Sequence, residues 1–486
     1  MLDSPKANSF DGACKNAQFF WSINWRLIYD IIMVIMARIQ NDLTQGKVLT
    51  KLVQFAIPFL LSNLVQSSYA MADMLMVGRF GGTESMSGVN IGGQVTMLLT
   101  QIVIGLTMGG TVLIGQYIGA GKEDALKRVT ATLITLLVIL SLVLTPAMLI
   151  LKGPILRLIQ TPSESYAESD RYLTVTVTGI IFIFGYNALS AILRGMGNSR
   201  QPLYFVTISC IVSILLNFVF VGWFKLGAFG AALTTVMAQA LSVFLCIRYM
   251  VKNNFQFDFK LKSLRIYGDQ LRLILKIGLP TCIQNSVTSF SFMFITTIVN
   301  MVGGVAASAA VGAVQRFNGF IFMPTMAISA SISAMAAQNI GANRLDRAVT
   351  ACKIGTVFSA IIAFSFFALV QIFPGSIMQL FGDDPKMIED GVTYLRSFIY
   401  DLLLIPFIFC INGLLIGGGH TLFTLINNMI SALLLRVPAC YFLGITLGWG
   451  LKGVGLGAPI ASVGVLAVII FYIFTGKWKK NVLVHK

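Results

Sequence analysis

The feature that most constrains this chain is an internal repeat. When the sequence is shifted by 222 residues, residues 58–203 align with a second copy without a gap, and a five-residue insertion then changes the shift to 227. An internal repeat of this length shows that the fold contains two copies of one unit. The matched positions include Pro58 with Pro280, Asn63 with Asn285, Gly82 with Gly304, Gln116 with Gln338, Gly119 with Gly341, Leu193 with Leu415 and Lys225 with Lys452.

Composition places both copies in a membrane. Hydrophobic residues make up 56% of the chain and charged residues only 11%, whereas about 25% of residues are charged in soluble proteins. Apolar segments of roughly 20 residues are long enough to cross a bilayer as helices. Twelve such segments, numbered here as spans 1 to 12, lie at about 52–77, 90–118, 129–151, 171–193, 202–223, 230–250, 273–300, 310–335, 350–371, 392–417, 424–446 and 456–475.

These spans predict an all-α membrane protein of two six-helix lobes. Because each repeat contains an even number of spans, both copies enter the membrane in the same direction, and their pseudo-two-fold axis runs along the membrane normal. Duplicated apolar units of this kind are typical of secondary transporters, with a substrate path between the lobes.

The predicted boundaries follow from the repeat. We expect an N-terminal extension at 1–46 that is dispensable, an N-lobe at 47–250, a cytoplasmic interlobe linker at 251–272, a C-lobe at 273–476 and a basic cytoplasmic tail at 477–486. The extension either contains an interfacial helix or lies upstream of a natural start at Met36.

Charge sets the orientation. The formal net charge is +16, but the basic residues occupy alternate loops rather than one surface, so we expect no nucleic-acid partner. The positive-inside rule places these basic loops and both termini in the cytoplasm, with the chain as a multi-pass protein of the plasma (inner) membrane. We expect a monomer that contacts membrane lipid and a small amphipathic substrate.

Several kinds of chemistry are excluded by spacing. The segment from Gly115 to Lys122 is not a phosphate loop, because five residues separate Gly115 from Gly121 and Glu123 follows the lysine. The seven cysteines contain no CxxC pair and there are two histidines, which predicts no metal site. We therefore expect no enzymatic activity and no cofactor, and energy from an ion gradient or a partner.

Two of the 19 acids lie inside predicted spans. Asp73, in span 1, has no basic residue at its depth in spans 1, 5 or 6, and at 1.5 Å per residue Ser213, Asn217 and Thr235 reach a similar depth. An unpaired carboxyl group among amide and hydroxyl groups can carry a proton or ligate a small cation. We predict that these residues couple transport to an ion; the alternative is an acid that caps a broken helix or faces an open vestibule.

The second intramembrane acid has a predicted partner. Asp401 in span 10 and Arg436 in span 11 lie at matching depths, so we expect them to form a structural pair. Pro58 and Pro280 occupy equivalent positions in the two repeats, and each removes a helix hydrogen bond. We predict a kink at both prolines, and whether the kinks act in gating stays open.

The combined motifs resemble the multidrug and toxic compound extrusion (MATE) family, specifically the bacterial branch related to the DNA-damage-inducible transporter F. The resemblance covers roughly residues 45–475. It depends on Pro58 to Gly78, with Met-Ala-Asp73 near its end, Gln116 to Gly121, Leu193-Arg-Gly-Met-Gly-Asn198, Gly230-Ala-Ala-Leu-Thr-Thr235 and Gln338-Asn-Ile-Gly-Ala342.

The resemblance implies a V-shaped antiporter that exports cationic or other amphipathic compounds against inward flow of protons or sodium ions, with Asp73 as the coupling carboxylate of span 1. Archaeal relatives carry Asn-x-x-x-Asp in span 5, where this chain has Ser213 and Asn217. The missing carboxylate weakens a sodium site and favours proton coupling. The acids that another bacterial branch carries in spans 7 and 10 are not matched here.

Two alternatives remain. Related membrane proteins act as flippases for lipid-linked precursors, although twelve helices and few cavity charges disfavour that function. A non-transporting membrane scaffold would have no need for Asp73. A channel is disfavoured because the sequence contains nothing like a selectivity filter.

Overall fold

The computed structural model describes residues 41–253, 255, 257 and 259–479, and this part of the chain is helical without a β-strand. The α-helices are Val48–Gly119, Glu123–Leu158, Ser163–Thr178, Ile180–Gly195, Arg200–Asn217, Gly227–Lys252, Gly268–Gly341, Leu345–Ile372, Pro374–Gln379, Pro385–Phe398, Ile405–Gly417, Thr421–Met429, Val437–Tyr441 and Gly450–Phe474. Shorter π-helical segments are Phe218–Trp223, Ile430–Arg436 and Phe442–Thr446, and 3₁₀ segments are Leu261–Ser263, Ile399–Leu403 and Lys477–Lys479.

Two of these helices are too long to cross a membrane once. They contain 72 and 74 residues, or about 110 Å each at 1.5 Å per residue. A glycine with non-helical backbone breaks each one, Gly82 (φ 80°, ψ 178°) in the first and Gly304 (φ 64°, ψ −145°) in the second. Because glycine alone adopts these positive φ values without a steric penalty, each long helix turns back there and supplies two spans.

The two breaks and two bends confirm the repeat. Gly82 and Gly304 are equivalent under the 222-residue shift. Spans 4 and 10 are bent as well, by 50° between Ser163–Thr178 and Ile180–Gly195 and by 45° between Pro385–Leu403 and Ile405–Gly417. Each bent pair counts as one span and each long helix as two. The described residues then contain the twelve predicted spans in two six-helix lobes.

Each lobe has its own core, and a third core joins the lobes at one end. Val77, Tyr172 and Val221 are buried together in the N-lobe, and Val299, Leu395 and Val454 in the C-lobe. Leu52 and Phe55 of span 1 instead pack in one cluster with residues of spans 8, 9 and 10. We call this end, where Gly119 and Gly341 lie, the closed end, and the end of the Gly82 and Gly304 turns the open end.

Reciprocal amide contacts join the lobes at the closed end. The Gln116 side-chain N–H donates to the Gly417 carbonyl at 2.8 Å, and the Gln338 side-chain N–H donates to the Gly195 carbonyl at 3.1 Å. The two contacts are equivalent under the 222-residue shift. Among the described residues, every hydrogen bond between the lobes lies at this end or in the adjoining half of the spans.

The segment before span 1 adds an asymmetric contact at the closed end. Leu43 is 1% exposed, and its N–H donates to the Gln338 side-chain oxygen at 3.0 Å. The Arg347 guanidinium donates to the carbonyls of Gln45 and Gly46 at 2.9 and 2.7 Å. Residues 41–46 belong to the predicted extension, but they pack against the C-lobe. The remaining extension residues lie outside the described part of the chain, and the predicted domain boundaries stay predictions.

Alanine at the closed-end glycines is expected to open the contact between the lobes. A Cβ atom at Gly119 would lie 1.9 Å from the Gln338 carbonyl oxygen, and one at Gly341 would lie 2.1 Å from that of Gln116. Because the obstacle is backbone, the overlap forces the lobes apart at a cost of about 1–3 kcal/mol, or a shift of about tenfold in the conformational equilibrium. Spin labels at Lys122→Cys and Asp346→Cys, in a background without the native cysteines, should then report a longer distance.

Gly312→Ala is the matched control for this measurement. Gly312 lies in the same long helix as Gly341, but a Cβ atom there would meet nothing within 4 Å. It should leave the label distance unchanged. An unchanged distance in Gly341→Ala would contradict the tight closed-end contact.

Candidate functional site

Asp73 is buried in the N-lobe and accepts a hydrogen bond from an amide. Asp73 is 8% exposed, and the Asn217 side-chain N–H donates to Asp73 Oδ1 at 2.7 Å. The Thr234 hydroxyl donates to the Asn217 side-chain oxygen at 2.9 Å. A carboxylate, an amide and a hydroxyl therefore form a chain that crosses spans 1, 5 and 6.

A second chain of hydroxyl groups lies one helical turn away. Ser213 donates to the Tyr69 hydroxyl at 3.0 Å, and the Tyr69 hydroxyl lies 2.9 Å from the Thr235 hydroxyl oxygen. Since Tyr69 accepts from Ser213, its own proton is available for Thr235. Tyr69 precedes Asp73 by four residues and Ser213 precedes Asn217 by four, so the two chains stack along the same helix faces.

Among the described residues, no cation compensates Asp73. Within the described ranges its carboxyl group makes no ion pair, and the four ion pairs found there involve other acids. The structure thus brings together the four residues that the sequence analysis grouped, and it adds Tyr69 and Thr234. The role of this cluster in ion coupling stays a prediction.

A change of helix type follows Asn217 directly. Span 5 is α-helical over Arg200–Asn217 and π-helical over Phe218–Trp223. π-helical turns are rare and occur frequently at functional sites. The wider turn begins at the residue that contacts Asp73, so the amide is held at the junction of two helix types.

The second intramembrane acid lies in the C-lobe with a cation beside it. Arg436 Nη2 lies 3.6 Å from Asp401 Oδ2, and the Ser462 hydroxyl donates to Asp401 Oδ1. The Arg436 guanidinium also lies over the rings of Phe292 and Phe398, 5.3 and 5.8 Å from their centres. This pair is compensated by charge, hydrogen bond and cation–π contacts, whereas Asp73 is not.

The two repeat prolines lie inside the long helices. The backbone is helical at Pro58 and Pro280, and the non-helical residues of those helices are Gly82 and Gly304. The Ser62 hydroxyl donates to the Pro58 carbonyl at 2.8 Å. A kink or gating role of these prolines stays a prediction. The described residues contain no group of three His, Cys, Asp or Glu side chains placed to hold a metal ion.

The structure has two six-helix lobes that are related by a repeat and joined at one end. Among the described residues, it also has a buried carboxyl group without a cationic partner. These features define an integral membrane protein with transporter architecture. The MatE family model matches residues 58–219 and 280–442, one match in each repeat. The chain therefore belongs to the MATE family of transporters. Its assignment to a branch within the family stays a prediction.

Relatives and solved structures agree with this assignment. The chain is 30% identical to a probable multidrug resistance protein of Bacillus subtilis, YoeA, over 88% of this chain and 93% of that protein. It is 29% identical to a second one, YpnP, over 90% of this chain and 97% of that protein. A crystal structure of MATE in the bent conformation matches with a TM-score of 0.85 at 22% identity, covering 90% of this chain and 97% of that one.

Proposed function

We propose that the protein is a secondary active antiporter that exports amphipathic or cationic organic compounds, driven by proton uptake at Asp73. Names of the Bacillus subtilis relatives, which describe probable multidrug resistance proteins, support the cargo class. The observation that carries the proposal is the buried Asp73 carboxyl group, which has no cationic neighbour among the described residues. An intramembrane acid without a partner is the kind of group that relays protons in transporters.

The hydrogen bonds around Asp73 give proton binding a structural consequence. Asp73 accepts from Asn217, which accepts in turn from Thr234. A proton on the acceptor oxygen of Asp73 turns it into a donor, which cannot face the Asn217 N–H group. The amide must then turn over, which points its N–H at the Thr234 hydroxyl; that hydroxyl can accept it because its own proton has a second acceptor, the Ala231 carbonyl at 2.8 Å. Proton binding at this oxygen therefore reverses the hydrogen bonds that join spans 1, 5 and 6.

The same geometry disfavours sodium. Sodium would meet a single formal negative charge, and the nearest amide presents its N–H group rather than its oxygen to Asp73. Hard cations bind oxygen ligands, so a sodium site here requires the amide to turn over before the ion enters.

The facing state follows from the predicted orientation. The positive-inside rule assigns the closed end to the cytoplasm, which makes this conformation outward-facing, with both termini inside and the protein in the plasma (inner) membrane. Antiport then requires that proton binding and cargo binding disfavour each other. We also propose that the protein is a monomer surrounded by membrane lipid.

Reconstituted liposomes test the coupling ion directly. Purified protein is inserted into liposomes, and movement of a cationic dye is followed under a pH gradient or a sodium gradient imposed alone. A pH gradient should drive dye movement, and a sodium gradient should not. Transport driven by sodium alone would contradict proton coupling, and no transport under either gradient would favour a flippase or a scaffold.

A further inference from the structure

Spans 7 and 8 contain one charged side chain over most of their length. Between Lys276 and Arg344 the sole charged residue is Arg316. Arg316 is exposed, and it makes no ion pair with any residue in the described ranges. It lies twelve residues after Gly304, or about 18 Å along the helix from that turn, which is inside the thickness of a bilayer of roughly 30 Å.

Helix periodicity shows which way Arg316 faces. Arg316 precedes Gln338 by 22 residues, which is about six turns at 3.6 residues per turn. The two side chains therefore lie within about 40° of each other around span 8, with Pro324 between them. At the closed end this face contacts the N-lobe, because Gln338 donates to the Gly195 carbonyl there. Further along the helix, the same face points into the space between the lobes.

The glycines of span 8 show where the lobes separate. At Gly341 a Cβ atom would lie 2.1 Å from the Gln116 carbonyl oxygen, whereas at Gly312 and Gly319 it would meet nothing within 4 Å. Arg316 lies between these two open positions. Charged side chains at this depth almost always face a bundle interior or a water-filled cavity, so we expect the space that Arg316 faces to hold water or a ligand.

The facing wall on the N-lobe is neutral and partly apolar. Gln94 is the repeat counterpart of Arg316 and precedes Gln116 by the same 22 residues. Leu98 and its counterpart Phe320 lie one turn nearer the closed end on these faces, and they are 63% and 54% exposed. These four positions thus offer a guanidinium group, an amide and two large apolar side chains to the gap between the lobes.

We propose that this gap binds amphipathic anions, with the Arg316 guanidinium on a carboxylate, sulfonate or phosphate head group and with Phe320 and Leu98 on the apolar body. A guanidinium presents paired N–H donors that match the two oxygens of such a head group. The inference rests on the proposed export function for the direction of movement, and it names anions as a substrate class within it.

A pair of probes with one fluorophore tests the charge preference. Dansylglycine carries a carboxylate and dansylcadaverine an ammonium group, and their binding to purified protein is followed by dansyl fluorescence. Arg316→Gln, which copies the N-lobe counterpart, should weaken dansylglycine binding by roughly tenfold or more, the scale of one hydrogen bond to a charged group. It should leave dansylcadaverine binding unchanged or stronger. Arg316→Lys should retain most of the binding of the anion.

Lys353→Gln is the control, because Lys353 is an exposed base on span 9 and its replacement changes the net charge equally. Equal dansylglycine affinity in Arg316→Gln, Lys353→Gln and the unchanged protein would overturn the proposal, as would no binding of dansylglycine to the unchanged protein. Liposome transport separates the two proposals. If dansylglycine binding depends on Arg316 but neither probe is transported, the export function alone is contradicted. If the probes are transported but binding does not depend on Arg316, the anion site alone is contradicted.

Discussion

Asp73→Asn is expected to reduce ion-driven efflux by about 100-fold, the upper range of coupling between two binding sites. Asparagine has nearly the same size as aspartate and can still meet the Asn217 amide, but it cannot bind and release a proton. The fold should survive, because the change removes a buried charge that has no cationic partner in the described residues. Dye accumulation in everted membrane vesicles, energised through respiration, measures the loss.

Glu84→Gln provides the matched control for Asp73→Asn. Glu84 is an exposed acid two residues after the Gly82 turn, so its neutralisation removes the same charge outside the buried network. It should transport normally at the same protein level. Undiminished ion-driven efflux in Asp73→Asn at a normal protein level would remove Asp73 from the mechanism.

Arg436→Met is expected to destabilise the C-lobe by about 3–5 kcal/mol, the typical cost of leaving a buried charge without its partner. Asp401 is buried at 3% exposure, and its remaining contact would be the Ser462 hydroxyl. The midpoint of thermal unfolding in detergent, followed by size-exclusion chromatography, should fall by several degrees. Asp401→Leu combined with Arg436→Met should recover most of the loss, because apolar side chains of similar volume often replace a buried ion pair without cost.

Lys353→Met controls for removal of an exposed base from the C-lobe, and it should leave the midpoint unchanged. A normal midpoint in Arg436→Met together with lost transport would show that the pair acts in transport rather than in packing. A double variant no more stable than Arg436→Met would contradict the charge compensation seen between the two residues.

Much of the fold could be predicted because it depends on composition and repetition. Apolar length locates the spans, and the shift of 222 residues places Gly82 and Gly304 at the same point of both copies, where the structure has its two turns. Depth is predictable as well, since rise per residue is constant. Depth alone identified the neighbours Asp401 and Arg436, which lie 3.6 Å apart.

The rotation of each helix about its axis was harder to predict. Thr235 was grouped with Asp73, but Thr234 is the threonine that joins the Asn217 chain, and Thr235 contacts Tyr69. One residue changes the direction of a side chain by 100° in a helix, so depth alone does not distinguish Thr234 from Thr235. Tyr69 could have been found from its spacing of four residues before Asp73.

Asp73, the one acid inside a predicted span of the N-lobe, has an electrical consequence for the proposed exchange. Its counterpart in the second repeat is Ile295, so exchange can involve one monovalent ion per turnover. Export of a monovalent cation would then be electroneutral. Export of a monovalent anion would instead carry about two positive charges inward per turnover, and the membrane potential would supply roughly 4.6 kcal/mol per 100 mV to that exchange.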